Sequence, residues 1–83
     1  MGADVKARIK LLGTLPSHFS GSYPASGIEV NLPDNATVAA VVGIIGLPKE
    51  RLGIVTINGR LARASDSIPK HAEVKFFQTI AGG

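Results

Sequence analysis

The sequence contains no cysteine. Disulfides, thiolate metal sites and a cysteine nucleophile are excluded together, and the redox compartment is left open. No apolar run is long enough to span a bilayer. The start, Met1-Gly2-Ala3-Asp4, lacks the apolar core of a leader peptide, and Lys6 stands where a myristoylation signal wants Ser or Thr. A cytoplasmic protein without a membrane segment is therefore expected. Aromatics are scarce: Phe19, Tyr23, Phe76 and Phe77 are all there are, and they do not alternate with basic residues. With a net charge of only +3 and no basic run, a nucleic-acid partner is not expected. There is no carboxylate pair, no His-Ser-Asp spacing and no metal-ligand cluster, and no Gly-Lys-Ser/Thr follows Gly43, Gly46 or Gly53. The expectation is a chain that is not an enzyme and binds no metal or cofactor of its own.

What is present is enough apolar content, 45%, for one small folded domain over residues 1–83, with a body at about 4–77 and a tail at 78–83. Val5 to Leu12 alternates, with Val5, Ala7, Ile9 and Leu11 on one face and Lys6, Arg8 and Lys10 on the other, which predicts a half-buried strand. Residues 13–27, rich in Ser, Pro and Gly, read as a long loop, onto which Phe19 and Tyr23 are expected to fold back. Ile28, Val30 and Leu32 point inward on a second strand, and Pro33-Asp34-Asn35-Ala36 ends it. Thr37 predicts the cap of one helix whose apolar stripe is Val38, Val41, Val42 and Ile45. The capping box is incomplete because Ala40 stands at the position of the usual acid. Gly46-Leu47-Pro48 stops the helix. Leu52 to Ile57 is a third strand, Asn58-Gly59 a tight-turn signal, Leu61 to Ile68 irregular, and Glu73 to Phe77 the last strand. The order β-β-α-β-β predicts an α+β roll. One helix covers one face of a mixed sheet, the first and last strands are the central pair, and Lys75 and Phe77 lie beside the basic row on the open face.

The last stretch, Phe76-Phe77-Gln78-Thr79-Ile80-Ala81-Gly82-Gly83, runs from a strand into two glycines. Glycine is a poor residue on which to end a packed body, because it loses the most entropy on ordering and has no side chain to hold it. Together with Leu32-Pro33-Asp34-Asn35-Ala36-Thr37-Val38, Gly46-Leu47-Pro48 and Ile57-Asn58-Gly59-Arg60, this ending resembles the sulfur-carrier branch of the ubiquitin-like β-grasp family. That branch holds the small subunit of molybdopterin synthase (MoaD) and the thiamine-pathway carrier (ThiS). The resemblance covers nearly the whole chain. It departs from the family pattern at Lys70-His71-Ala72, where an acidic turn is common, and at Gln78-Thr79, where prolines are common.

The resemblance implies a ubiquitin-like β-grasp roll with a flexible Gly-Gly tail. It implies that a partner activating enzyme, related to those that act on ubiquitin, uses ATP to adenylate the Gly83 carboxylate. A sulfur nucleophile supplied by a donor then converts it to a thiocarboxylate for a larger synthase subunit or acceptor, most simply in molybdopterin- or tungstopterin-type cofactor biosynthesis. Gly82, Ala81 and Ile80 would thread into the partner, and Phe77 would anchor the body beside them. ATP would bind the partner and not this chain. Two other readings stay open: a protein modifier joined through Gly83 to lysines of target proteins, and a β-grasp interaction module in which the Gly-Gly ending has no role. The pathway that receives the sulfur, the oligomeric state and the role of the long loop are not written in the residues.

Overall fold

The computed structural model describes residues 5–18, 24 and 26–79. Phe19 and Tyr23 lie outside the described residues. Five strands and one helix run in the order β1 (Val5–Leu11), β2 (Ile28–Leu32), α1 (Val38–Ile45), β3 (Leu52–Ile57), β4 (Arg60–Ala62) and β5 (Ala72–Gln78). Short 3₁₀ turns precede β2 at Leu15–His18 and β3 at Lys49–Arg51. The strands form one sheet in the order β2-β1-β5-β3-β4. The first and last strands are the parallel pair at its centre, with Ile9 opposite Val74 and Leu11 opposite Phe76. Every other pairing is antiparallel.

The pleats of β1 and β5 are in phase. Ala7, Ile9 and Leu11 point to the same side as Ala72, Val74 and Phe76, and all are buried. The helix lays Val38, Val41, Val42 and Ile45 onto that side, so the stripe read from the 3.6-residue period is the buried face of α1. Leu15, from the turn after β1, and Leu32, at the end of β2, close the core. Burial of these side chains is the main force holding the roll together, since the β-branched helix has weak intrinsic propensity.

Thr37 caps the helix as expected: its Oγ1 accepts from the Ala40 N–H at 3.2 Å. Two more of the first-turn N–H groups are satisfied by chain from far away. The N–H groups of Val38 and Ala39 donate to the carbonyls of Asp66 and Ala64, each at 3.0 Å. A helix leaves its first N–H groups without internal partners, and here the loop after β4 supplies them. At the other end Gly46 adopts φ 75°, and its N–H and that of Leu47 both donate to the Val42 carbonyl.

The stretch Leu61 to Ile68, expected to be irregular, begins with a strand. Asn58 and Gly59 take φ 52° and 83°, the paired left-handed geometry of a two-residue hairpin turn. That turn folds Arg60–Ala62 back on β3, with Ile57 opposite Arg60 and Val55 opposite Ala62. Three residues are too few for alternation to be read, so the sheet has one strand more than the sequence pattern suggests. The last strand is also longer than Glu73–Phe77 by one residue at each end.

Candidate functional site

Of the residues singled out for function, Gly83, Gly82, Ala81 and Ile80 lie outside the described residues. What the fold establishes is the point from which they leave. The central strand β5 runs through Gln78, and the sheet keeps hold of the chain for one residue more. The Thr79 N–H donates to the Arg51 carbonyl at 2.9 Å. A bulge in β3 makes this possible: the register shifts between Leu52 and Val55, so that Leu52 faces Gln78 while Val55 faces Phe76. Gly53 sits in the bulge. A Cβ there would meet the Gln78 carbonyl oxygen at 2.8 Å and the Thr79 Cα at 3.2 Å, so the close approach of the two backbones requires a residue without one. On the other flank, Gln78 Oε1 accepts from the Thr14 N–H in the turn after β1. The Gln78-Thr79 segment, expected to belong to the tail, is thus attached to the sheet on both sides.

Phe77 is placed as expected. It alternates with buried Phe76, lies on the face away from the helix and is 36% exposed. It has apolar company that the sequence pattern did not suggest. Leu61 pairs with Thr56, which in turn faces Lys75, so Leu61 belongs to the same open face, 76% exposed. Ile54, one residue before inward Val55, is 55% exposed. Leu61 thus adds an apolar side chain at the β4 edge of the open face, while Ile54, at the bulge, lines the groove that β3 makes with α1. Ile54 was hidden by the bulge and the glycine beside it, which interrupt the period of two, and Leu61 by the shortness of β4.

The rest of the open face carries the basic row, and it is not a bare positive stripe. Lys10 Nζ lies 3.1 Å from one carboxylate oxygen of Glu73, and Lys75 Nζ lies 3.9 Å from the other. Arg8 meets Glu29 at 3.4 Å and donates to the Ser26 carbonyl at 3.2 Å. The hydrogen bond from Lys10 and its charge, with Lys75 and Arg8 adding to them, hold the Glu73 carboxyl below the usual carboxylate range. Because these groups are solvated, the pairs orient one another more than they stabilise the domain. Among the described residues no group of three or more metal-ligating side chains is found, and no helix is long and apolar enough to cross a membrane.

No family model matches the chain, and no curated protein does either. Solved structures do. Two crystal structures of small archaeal modifier protein 1 from Haloferax volcanii superpose with TM-scores of 0.68 and 0.66 at 20% and 21% identity. They cover 92% and 94% of this chain and 99% of theirs. The ubiquitin of Caldiarchaeum subterraneum superposes with a TM-score of 0.61 at 21% identity over 98% of this chain and all of its own. The match extends across each domain from end to end, and with the parallel β1-β5 pair, the single covering helix and the β3-β4 hairpin it establishes that the chain has the ubiquitin-like β-grasp fold.

Proposed function

We propose that this chain is a carrier whose terminal glycine is activated by a partner enzyme. The observation that carries the reading is the exit of β5. The central strand delivers the chain at a fixed point, Thr79, into Ile80-Ala81-Gly82-Gly83, a segment that ends on two residues without side chains. Gly82 and Gly83 suit a narrow channel in another protein, because they accept any backbone angle it demands. A Gly83 carboxylate oxygen attacks the α-phosphorus of ATP in the partner's site and pyrophosphate leaves. The acyl adenylate is then open to a sulfur nucleophile, which displaces AMP and leaves a thiocarboxylate. The chain supplies the acyl group and the docking surface, and the partner supplies the catalysis. Among sulfur acceptors, a pterin-type cofactor precursor is the one favoured by the Ile80-Ala81-Gly82-Gly83 ending.

A second outcome shares the activation step. The similar solved structures are named as a modifier and a ubiquitin. The same activated glycine would then be passed to a lysine amine of a target protein, forming an amide. Intact mass after incubation with ATP, a sulfur source and the host's tail-adenylating enzyme separates the two. Replacement of one oxygen by sulfur at Gly83 supports the carrier. Conjugates that carry the chain through an isopeptide bond support the modifier. Failure to form an adenylate with any such enzyme of the host would reject both.

Docking by the folded body offsets the cost of ordering the tail, roughly 1–2 kcal/mol per residue. The open face at Phe77, with Leu61 at its β4 edge, offers apolar surface on the strand that leads to the exit, and Lys10 and Lys75 border it. A Phe77→Ser variant is expected to raise the KM for activation by about tenfold, the effect of losing one buried aromatic anchor, with little change in kcat. Its melting temperature should stay within a few degrees of the parent's, since Phe77 is outside the core. Unchanged KM would place the docking surface elsewhere.

A further inference from the structure

The two attachments of the Gln78-Thr79 segment differ from the rest of the sheet in what they bury. Phe76 ends the buried stripe of β5, while Phe77, Gln78 and Thr79 are exposed. Yet the chain is held here from both flanks. From the β1 side, the Leu12 N–H donates to the Phe76 carbonyl at 3.0 Å, and the Thr14 N–H donates to Gln78 Oε1. Gly13 stands at φ 66° directly against the Gln78 side chain, and a Cβ on it would overlap Oε1, Cδ and Cγ. From the β3 side come the Arg51 carbonyl and Gly53. Two glycines are thus placed against one exposed glutamine and the peptide that follows it. Such contacts add little burial. What they do is fix the position and direction of the Gln78-Thr79 peptide.

We propose that Gln78 is a positioning residue for activation of the terminal glycine. Its side chain ties the exit of β5 to the Gly13-Thr14 turn, so that residues 80–83 start from one point in one direction. This rests on the reading of Gly83 as the activated group. Four residues span at most about 14 Å fully extended, so the partner's reacting phosphorus must come that close to Thr79. When the four residues are drawn out to their full reach, the tail has no slack left to take up a shift of the starting peptide. A reaction that depends on near-attack geometry is sensitive to such misplacement. The inference also gives the first part of the 13–27 loop a role: it is the receiving half of the clasp.

The test compares Gln78→Leu, which keeps the bulk and loses the acceptor, with Gln78→Glu, which keeps an oxygen at the same reach. Adenylation is followed by ATP–pyrophosphate exchange with the host's tail-adenylating enzyme, and amide hydrogen exchange is measured at Thr14 and Thr79. Gln78→Leu is expected to lower kcat about tenfold, as misorientation of a reacting group does, with KM within twofold. Exchange at Thr14 should quicken while the melting temperature stays close to the parent's. Gln78→Glu should recover most of the kcat. A purely structural role would move the melting temperature and leave kcat alone. Parent-like kcat in Gln78→Leu, alongside normal activation of the parent, overturns the positioning role and leaves the carrier reading standing. Equal impairment of Gln78→Leu and Gln78→Glu also overturns it, because the acceptor would then not matter. If the parent itself is not adenylated, the carrier reading falls and the positioning role with it.

Discussion

A chain lacking Gly82 and Gly83 is expected to keep its fold and lose activation completely. The two halves of that expectation come from different parts of the molecule. Among the described residues, every buried apolar residue of the core lies between Val5 and Phe76, and the last backbone hydrogen bond is made by Thr79. Deletion of Gly82 and Gly83 leaves all of these contacts in place, so its effect on stability is expected to stay within about 0.5 kcal/mol, the usual range for surface changes. Activation as proposed, by contrast, needs a carboxylate at the reach of Gly83. A chain ending two residues earlier falls short by about 7 Å of extended backbone, which no adjustment of the partner's channel recovers. A tag placed after Gly83 should have the same effect by converting the carboxylate to an amide. Gly83→Ala is a gentler probe, expected to slow activation while leaving the melting curve unchanged. Circular dichroism melts and intact mass after reaction with ATP check both halves. Full activity with an uncleaved tag would reject the carrier reading. A truncated chain that melts early would show that the residues after Thr79 belong to the body.

Much of this geometry was readable from the residues because local and long-range signals agreed. The alternation of Val5 to Leu11, the stripe at Val38, Val41, Val42 and Ile45, the Thr37 cap and the Asn58-Gly59 turn each report a local preference that the fold adopts unchanged. The central pairing of first and last strands followed from element order alone. What escaped was set by partners distant in sequence. The strand at Arg60–Ala62 exists because the hairpin turn returns it to β3, and nothing in three residues announces that. Ala64 and Asp66 cap a helix more than twenty residues upstream, and a backbone carbonyl has no signature in sequence. Gln78 reads as the first residue of a tail until the Thr14 N–H is seen to reach it. Gly53 reads only as one residue of the Leu52 to Ile57 strand until the Gln78-Thr79 backbone is seen to occupy the space of its Cβ. The basic row was legible as a solvated face, but its pairing with Glu73 and Glu29 depends on strand register.

Val41→Asp is expected to unfold the domain, and aspartates placed elsewhere on α1 should rank by the environment they enter. Val41 is fully buried between the helix and the sheet, and among the described residues no polar side chain is buried in the core to meet a carboxylate. Burying an unpaired charge costs several kcal/mol even after relaxation, and protonation of the group recovers only part of that. Small domains are stable by only about 5–15 kcal/mol, and one of this size lies toward the lower end. Val42, 6% exposed, also lines a groove of about 340 Å³ between α1 and β3, through which a carboxylate can reach water. Val42→Asp should therefore be severe but milder than Val41→Asp. Ala39 is exposed in the first helical turn, where a negative charge favours the helix dipole by about 0.3–1 kcal/mol. Ala39→Asp should be neutral or slightly stabilising. Urea denaturation of the three variants gives the order directly. A folded Val41→Asp protein, or an Ala39→Asp protein less stable than Val42→Asp, would mean that the helix turns a different face to the sheet. The buried stripe of β5 would then be wrong as well, and the fixed exit at Thr79 would fall with that packing.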